Sequence, residues 1–380
     1  MRRDSMHVLH AYSGNRFGGA ETYLLTLARN QELCHDMQSS FALCFEGELA
    51  SQLRDLGNEP YVLGNVRLSR PWSVWRVRRS MRKLLREIAP DIVLCHSCWP
   101  QAVFGPAVLR EGIPLAFRST DLPRGGQWLE KLASRVQPIA VVANSRQTAE
   151  AVSRHLYTGI PVQVIHEPVD NRLPRDRESV RKSIRLSLGA TPEEVVILLA
   201  SRLVPLKGLH ILTKALGLLP LDGNWSCWIA GGPQDSEEEA YLSSLKKFAA
   251  SKGIADRIHF LGQRRDVPDL LCAADIYCQP NTEPDAFGIV LIEALQAGLP
   301  VITSGMGGPL EIVDETCGIF VEPGDVGAVA DALVKLMDDR LLRQKLSQGG
   351  PSRANSLAEP ARQMRILCDA LRDAATGGPG

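Results

Sequence analysis

The feature that most constrains this chain is an alternation. Short aliphatic runs, each followed by a Gly- or Pro-bearing turn and then an amphipathic helix, recur almost from end to end. A parallel sheet with helices on both faces satisfies such a pattern, because a helical crossover returns the next strand parallel to the last. Residues 7–10 read as the first strand and Ser13-Gly14-Asn15-Arg16-Phe17-Gly18-Gly19 as a loop. Residues 20–29 read as a helix carrying Tyr23, Leu24, Leu27 and Ala28 at helical spacing. Strands follow at 40–45, 91–95, 115–117, 139–142 and 162–165, with helices at 49–56, 74–88 and 148–156.

The pattern breaks into Pro, Asp and Arg clusters over 167–194, with a short basic helix at 179–186, and then restarts. Strands are expected at 195–200, 226–230, 258–261, 276–279 and 301–303, and helices at 208–218, 237–251, 267–273, 288–297 and 326–337, with two more closing the chain. A length of 380 residues suits two domains. The expected division is 1–170 and 171–358, with 359–380 a closing helix and tail packing back on the first domain. Each half is an α/β, Rossmann-like doubly wound unit. Such sheets take ligands beyond the carboxyl ends of their strands, so two of them facing each other across a cleft suit a two-substrate enzyme.

Composition narrows the function. Hydrophobic residues make up 44% and charged residues 23%, the balance of a globular protein. Lys+Arg and Asp+Glu both number 43, so no general attraction for nucleic acid is expected. The charge is uneven: residues 1–185 hold 26 basic and 18 acidic side chains, and the remainder hold 17 and 25. The nine cysteines are scattered, and Cys95 and Cys98 have no second pair at zinc-site spacing. They read as reduced thiols, with no metal site. The start lacks the apolar run of a signal peptide, and no window reaches the ~18 apolar residues of a span. A cytoplasmic location is expected, peripheral at most on the inner face of the membrane.

Two clusters carry chemistry. In 281–300, Phe287-Gly288 opens a helix that Gly298 and Pro300 stop. Gly288 lets a ligand approach the first N–H groups of that helix, which favour an anion such as a diphosphate. Glu293 stands among Ile289, Leu291, Ile292, Ala294 and Leu295. A carboxylate there needs a partner; ribose hydroxyls and a salt bridge within the core satisfy it equally. In 200–208, Arg202 at a strand end and Lys207 before Gly208 can converge on one anion, although taken alone they also read as two surface cations.

Together these residues resemble the donor site of the family 4 retaining glycosyltransferases, which have the GT-B fold. The likeness rests on Arg202 and Lys207-Gly208, on Asp285 and Glu293 flanking Phe287-Gly288, and on Gly18-Gly19-Ala20-Glu21. It is supported by Ile229-Ala230-Gly231-Gly232-Pro233, Phe260-Leu261-Gly262 and Ala273-Ala274-Asp275-Ile276. These matches run in order from about residue 7 to 326. The resemblance implies a nucleoside-diphosphate sugar (UDP-, GDP- or ADP-linked) as donor, a saccharide or lipid-linked acceptor, and no cofactor or metal. Arg202 and Lys207 would bind the diphosphate, Glu293 the ribose and Asp285 the transferred sugar. Backbone around Phe287, Gly288, Ile289 and Val290 would meet sugar and phosphate. Gly18 and Gly19 would approach the donor phosphate or acceptor, and the base would lie near Gly262 and Arg264.

Three positions depart from or extend the family pattern. Asp285 stands where the family has the first of two glutamates with seven residues between them. Arg118 stands where the family often has a histidine; it stays charged and cannot act as a base, so Arg118 and Asp121 read either as an acceptor-binding pair or as a loop salt bridge. His96 ends a strand where relatives carry a histidine in the cleft; an imidazole of near-neutral pKa there would relay a proton, although a lone histidine at a strand end is more often structural. Trp72, Trp75 and the run Arg76, Arg78, Arg79, Arg82, Lys83 and Arg86 mark the helix 72–88 either as a solvated basic helix, the commoner case, or as a contact with anionic headgroups. The expected reaction is sugar transfer with retention, in glycan, glycolipid or cell-surface polysaccharide synthesis. A non-catalytic nucleotide-sugar-binding protein, a GT-B epimerase and a dinucleotide oxidoreductase are the rivals.

Overall fold

A computed structural model describes residues 5–14 and 18–377. The chain divides into two compact units. The first runs to Val169 and takes in the chain again from Ala358; the second spans Asp170–Leu357.

The first unit holds seven strands: β1 Met6–Tyr12, β2 Met37–Leu43, β3 Tyr61–Val62, β4 Ile92–His96, β5 Leu115–Ser119, β6 Ala140–Ala143 and β7 Val162–Val164. Their order across the sheet is β3-β2-β1-β4-β5-β6-β7, and every pairing is parallel. The second unit holds β8 Val195–Ala200, β9 Trp225–Ala230, β10 Ile258–Gly262, β11 Ile276–Gln279, β12 Val301–Ser304 and β13 Gly318–Val321. These lie in the order β10-β9-β8-β11-β12-β13, again parallel throughout. The two Rossmann-like domains expected from the alternation are therefore present.

This topology has a consequence for the site. Strand order reverses between β1 and β4 in one sheet and between β8 and β11 in the other. At such a switch point the loops leaving the two strands turn to opposite faces and open a crevice for a ligand. In the second unit those loops are 201–208 and 280–288, which carry the residues singled out above.

Both faces of each sheet are covered. On one side of the first sheet Val8, Phe41 and Leu94 pack with Leu24 and Leu27 of the helix Gly19–Arg29, and with Met364, Leu367 and Leu371 of the helix Pro360–Thr376. On the other side Leu9 and Val93 meet Val77 and Met81 of the helix Pro71–Ile88, and Phe104 and Val108 of the helix Cys98–Arg110. The second core joins Ile197, Leu199 and Ile229 to Leu212 and Leu216.

The helix Cys98–Arg110 has no counterpart in the sequence reading. It is buried on most sides and contains Pro106, so it lacks the apolar stripe by which a half-exposed helix is recognised. Strands β3 and β13 were also unread: one has two residues and the other carries an exposed Phe320. Strand β2 begins at Met37, three residues before the expected start.

Candidate functional site

The loop after β8 is built to present cations. Pro205–Lys207 forms a single 3-10 turn that Gly208 ends with φ +73°. A Cβ on Gly208 would lie 1.8 Å from the carbonyl oxygen of Pro280, so only glycine permits this approach. The backbone N–H of Thr282 donates to Leu206 O at 2.9 Å, and its hydroxyl donates to Pro205 O at 3.1 Å. The loop after β11 is thereby fastened to the loop after β8.

A second fastening holds the other side of 280–288. The N–H of Gly308 donates to Asp285 O at 2.8 Å, and Asp285 and Gly307 form an isolated parallel bridge. Side chains on Gly307 and Gly308 would collide with the backbone of Asp285 and Phe287, at 2.5 Å and 2.4 Å. The Met306-Gly307-Gly308-Pro309 run was not read as part of the site. Its paired glycines before a proline were the available signal.

Asp285 sits between these clamps, and its carboxylate accepts a hydrogen bond from Lys207 Nζ in a half-buried ion pair. Two residues assigned to different parts of a donor, diphosphate and sugar, are thus bonded to each other. Arg202 is exposed and has no side-chain partner among the described residues. Phe287 is buried, and Gly288 adopts φ +119° to open the helix Ile289–Ala297. The first turn of that helix, with Ile289 and Val290, follows the 280–288 loop without a break, so its positive end lies at the end of that loop.

Glu293 lies one turn further along. It borders a small cavity with Asp170, Arg172, Leu173, Pro268, Leu271 and Gln296. Burial is the main influence and pushes its carboxyl up to about 7; Arg172 opposes that rise and Asp170 adds to it. The carboxylate makes no hydrogen bond or ion pair with a described residue, so the core salt bridge is not formed. At the base of the site a polar chain runs from the Tyr277 hydroxyl to Gln279 Oε1 (2.9 Å), and from Gln279 Nε2 to Asn281 Oδ1 (3.0 Å). Asn281 is fully buried and its Nδ2 has no partner. Gly262 takes φ +67° at the end of β10, its carbonyl accepts from Gly231 N, and Arg264 is held by Asp266 at 2.5 Å.

In the first unit Gly18 is extended and caps the helix Gly19–Arg29; residues 15–17 of its loop lie outside the described residues. The Arg118–Asp121 pairing is corrected. Arg118 is 1% exposed, and its Nη2 donates to Glu167 Oε1 at 2.7 Å. Asn144 Nδ2 donates to the same oxygen at 2.8 Å, and the guanidinium lies 3.6 Å from the centre of the Tyr23 ring. A buried guanidinium needs an equally buried carboxylate, and Glu167 supplies one whereas Asp121 stands exposed on its loop. Neither Glu167 nor Asn144 stood out in the sequence, because each lies alone beyond a strand end.

His96 answers to the structural reading rather than to a proton relay of near-neutral pKa. It is fully buried, its Nε2 is 3.0 Å from His10 Nδ1, and burial, His10 and Arg118 hold its pKa well below the usual value. On the helix Pro71–Ile88, Trp72 and Trp75 are 57% and 64% exposed, with Arg76 and Arg79 over their rings. The basic run is divided. Arg78 donates to the carbonyls of Ala102 and Val103, and Arg82 and Arg86 pair with Glu111, which leaves Arg76 and Arg79 beside the tryptophans and Lys83 exposed further along the helix. Among the described residues no helix is long and apolar enough to cross a membrane, and no cluster of three or more His, Cys, Asp or Glu side chains is placed to hold a metal ion.

Comparison with known proteins points the same way. A model of glycosyl transferases group 1 matches residues 180–353, and a model of glycosyltransferase family 4 matches residues 17–173. A lipopolysaccharide core biosynthesis mannosyltransferase of Rhizobium meliloti is 28% identical over 315 residues, 80% of each chain. A GDP-mannose-dependent monoacylated phosphatidylinositol monomannoside mannosyltransferase of Corynebacterium glutamicum is 28% identical over 291 residues, 71% of this chain and 73% of the relative. The fold is shared with Anabaena Alr3699/HepE, solved in complex with UDP-glucose, at a TM-score of 0.86 and 23% identity, covering 97% of this chain and all of that one.

Proposed function

Because this chain belongs to the family 4 glycosyltransferases of GT-B fold, we propose that it transfers a sugar from a nucleoside-diphosphate donor to a lipid-linked saccharide, with retention at the anomeric carbon and without a metal ion. The observation that carries this reading is the clamped loop pair of the second unit. It brings Lys207 and Asp285 together at the start of the helix Ile289–Ala297, a constellation that offers both a cation and a helix end to a diphosphate.

The roles follow from the chemistry. Lys207 exchanges Asp285 for a diphosphate oxygen, with Arg202 adding a planar fork of donors. Asp285, released, accepts from hydroxyls of the transferred sugar. The ribose hydroxyls donate to Glu293, which has no partner among the described residues. The bond from the anomeric carbon to the diphosphate oxygen breaks and a bond to the acceptor oxygen forms on the same face. The acceptor proton passes to the departing phosphate oxygen, and the charge left there is balanced by Arg202, Lys207 and the helix. Gly18 and Gly19 are placed in this reading against the donor phosphate or acceptor, and Gly262 and Arg264 near the base. The exposed Trp72 and Trp75 with their stacked arginines support an acceptor held at an anionic lipid surface.

Release of nucleoside diphosphate from UDP-, GDP- and ADP-sugars tests the reading, with the anomeric configuration of the product read by NMR and the assay repeated in EDTA. Arg202→Ala and Lys207→Ala are each expected to cut turnover by about tenfold or more, the scale of a lost charge-assisted hydrogen bond. Turnover unchanged in both variants would remove the proposed leaving-group site.

A further inference from the structure

A chain of hydrogen bonds crosses β2, β1 and β4 behind His96. Ser39 Oγ lies 3.2 Å from His10 Nε2, and His10 Nδ1 lies 3.0 Å from His96 Nε2. The two imidazoles are fully buried and stacked at 5.2 Å, His10 against Phe41 and His96 against Tyr23. Beyond them the chain stops at His96 Nδ1, which is buried and has no partner among the described residues. Arg118 Nη1, opposite His96 in the β4–β5 register, and Asn144 Oδ1, just past β6, are in the same condition. Three buried orphans on consecutive strands are costly, and native interiors rarely leave such atoms empty.

Burial above all disfavours the charged form of both rings. Arg118 from β5 adds to it for both, His7 adds to it for His10 and His10 for His96, so that His10 lies at about 3 and His96 well below its ordinary value. The neighbouring carboxylate, Glu167, is engaged by Arg118 and Asn144.

A neutral Ser39–His10–His96 chain has two states. In one, His10 donates from Nε2 to Ser39 and accepts at Nδ1 from His96 Nε2–H, which leaves His96 Nδ1 as a bare acceptor. In the other, Ser39 donates to His10, His10 donates to His96, and Nδ1 carries the proton. The first state complements the Arg118 cation; the second adds a donor beside one already unpaired.

We propose that Ser39 and His10 are positioning residues that hold His96 in the first state. Its bare Nδ1 then forms, with Arg118 Nη1 as donor and Asn144 Oδ1 as acceptor, a buried site for one hydroxyl group. A hydroxyl accepts from Arg118 Nη1 and donates its one proton to His96 Nδ1 or to Asn144 Oδ1, and a water, with two protons, donates to both; a phosphate oxygen would meet two acceptors, and an ammonium would meet the guanidinium. The hydroxyl is that of a water or of a saccharide, and only the saccharide source rests on the transferase reading.

Imidazole 15N shifts of the full chain, labelled at histidine, test this at pH 7. Both rings are expected to be neutral, with the proton of each on Nε2. Ser39→Ala removes the acceptor for His10 Nε2–H, so the proton of each ring is expected to move to Nδ1, and Ser39→Thr is expected to restore the original pattern. Titration of methyl glucoside or methyl mannoside separates the sources: a moving His96 Nδ1 shift identifies a saccharide hydroxyl, and a fixed one identifies water. A charged ring in the wild-type chain, or a His96 pattern unchanged in Ser39→Ala, would overturn the proposal. These shifts do not require turnover, so their failure is distinct from the failure of Arg202 and Lys207 to support transfer.

Discussion

Glu293 shows how one side chain reports on a whole site. A carboxyl whose folded pKa lies above its ordinary 4.5 binds its proton more tightly in the native state. Its contribution to stability is therefore present at low pH and is lost as pH rises from about 4.5 to about 7. Relative to Glu293→Gln, the wild-type chain is expected to lose stability across that window, by at most about 3 kcal/mol, and to hold level above it. Thermal melts of both chains from pH 4.5 to 8 measure this. Binding should run the other way, because ribose hydroxyls donate best to an ionised carboxylate. UDP affinity is expected to rise between pH 6 and 8 in the wild type and to stay low and flat in the variant; parallel pH profiles for the two would separate Glu293 from the ribose. The type and place of Glu293, Arg202 and Lys207 were legible in the sequence. The mutual pairing of Lys207 with Asp285, and the choice of Glu167 by Arg118, were not, because a side chain's partner depends on which loops meet.

At the level of elements, the helix Pro71–Ile88 has a face for each task. Val77, Met81, Leu84 and Leu85 are buried, while Trp72 and Trp75 stand out in solvent. Exposed tryptophans beside cations suit the headgroup zone of an anionic bilayer, where an aromatic ring has one apolar and one wet side. Co-sedimentation with phosphatidylglycerol vesicles is expected for the intact chain and not with phosphatidylcholine vesicles. A Trp72→Ala/Trp75→Ala chain should lose most of that binding while it still binds UDP. Equal sedimentation of the double variant would show that this helix is not the contact. The apolar stripe of this helix made it readable in advance. The helix Cys98–Arg110, apolar on most sides, offered no stripe, and its assignment depended on the layers around it.

For the whole molecule, the notable fact is that the first unit is discontinuous. The helix Pro360–Thr376 buries Met364, Leu367, Cys368 and Leu371 against Leu24, Leu27, Cys34 and Met37 of the first core. At ~1.5–3 kcal/mol for each of Met364, Leu367 and Leu371, its removal costs about 5 kcal/mol or more, as much as many domains possess. A chain ending at Ala358 is expected to lose the cooperative transition of its first unit in calorimetry and to keep that of the second, together with UDP binding. Two intact transitions would show that the helix is dispensable.

By itself the sequence determined the alternation of strands and helices, the division into two doubly wound sheets, and the residue types at the ends of β4, β8 and β11. Those properties are local, set by periodicity, glycine placement and the character of each side chain. Tertiary structure alone decided which loops are clamped together by Gly208, Gly307 and Gly308, that Lys207 is held by Asp285, that Arg118 is neutralised by Glu167, and that His10 stands behind His96. Each of these is a contact between segments distant along the chain. Burial is what makes such partners obligatory, because a charge or hydrogen-bonding group removed from water must find its complement wherever the fold has placed one.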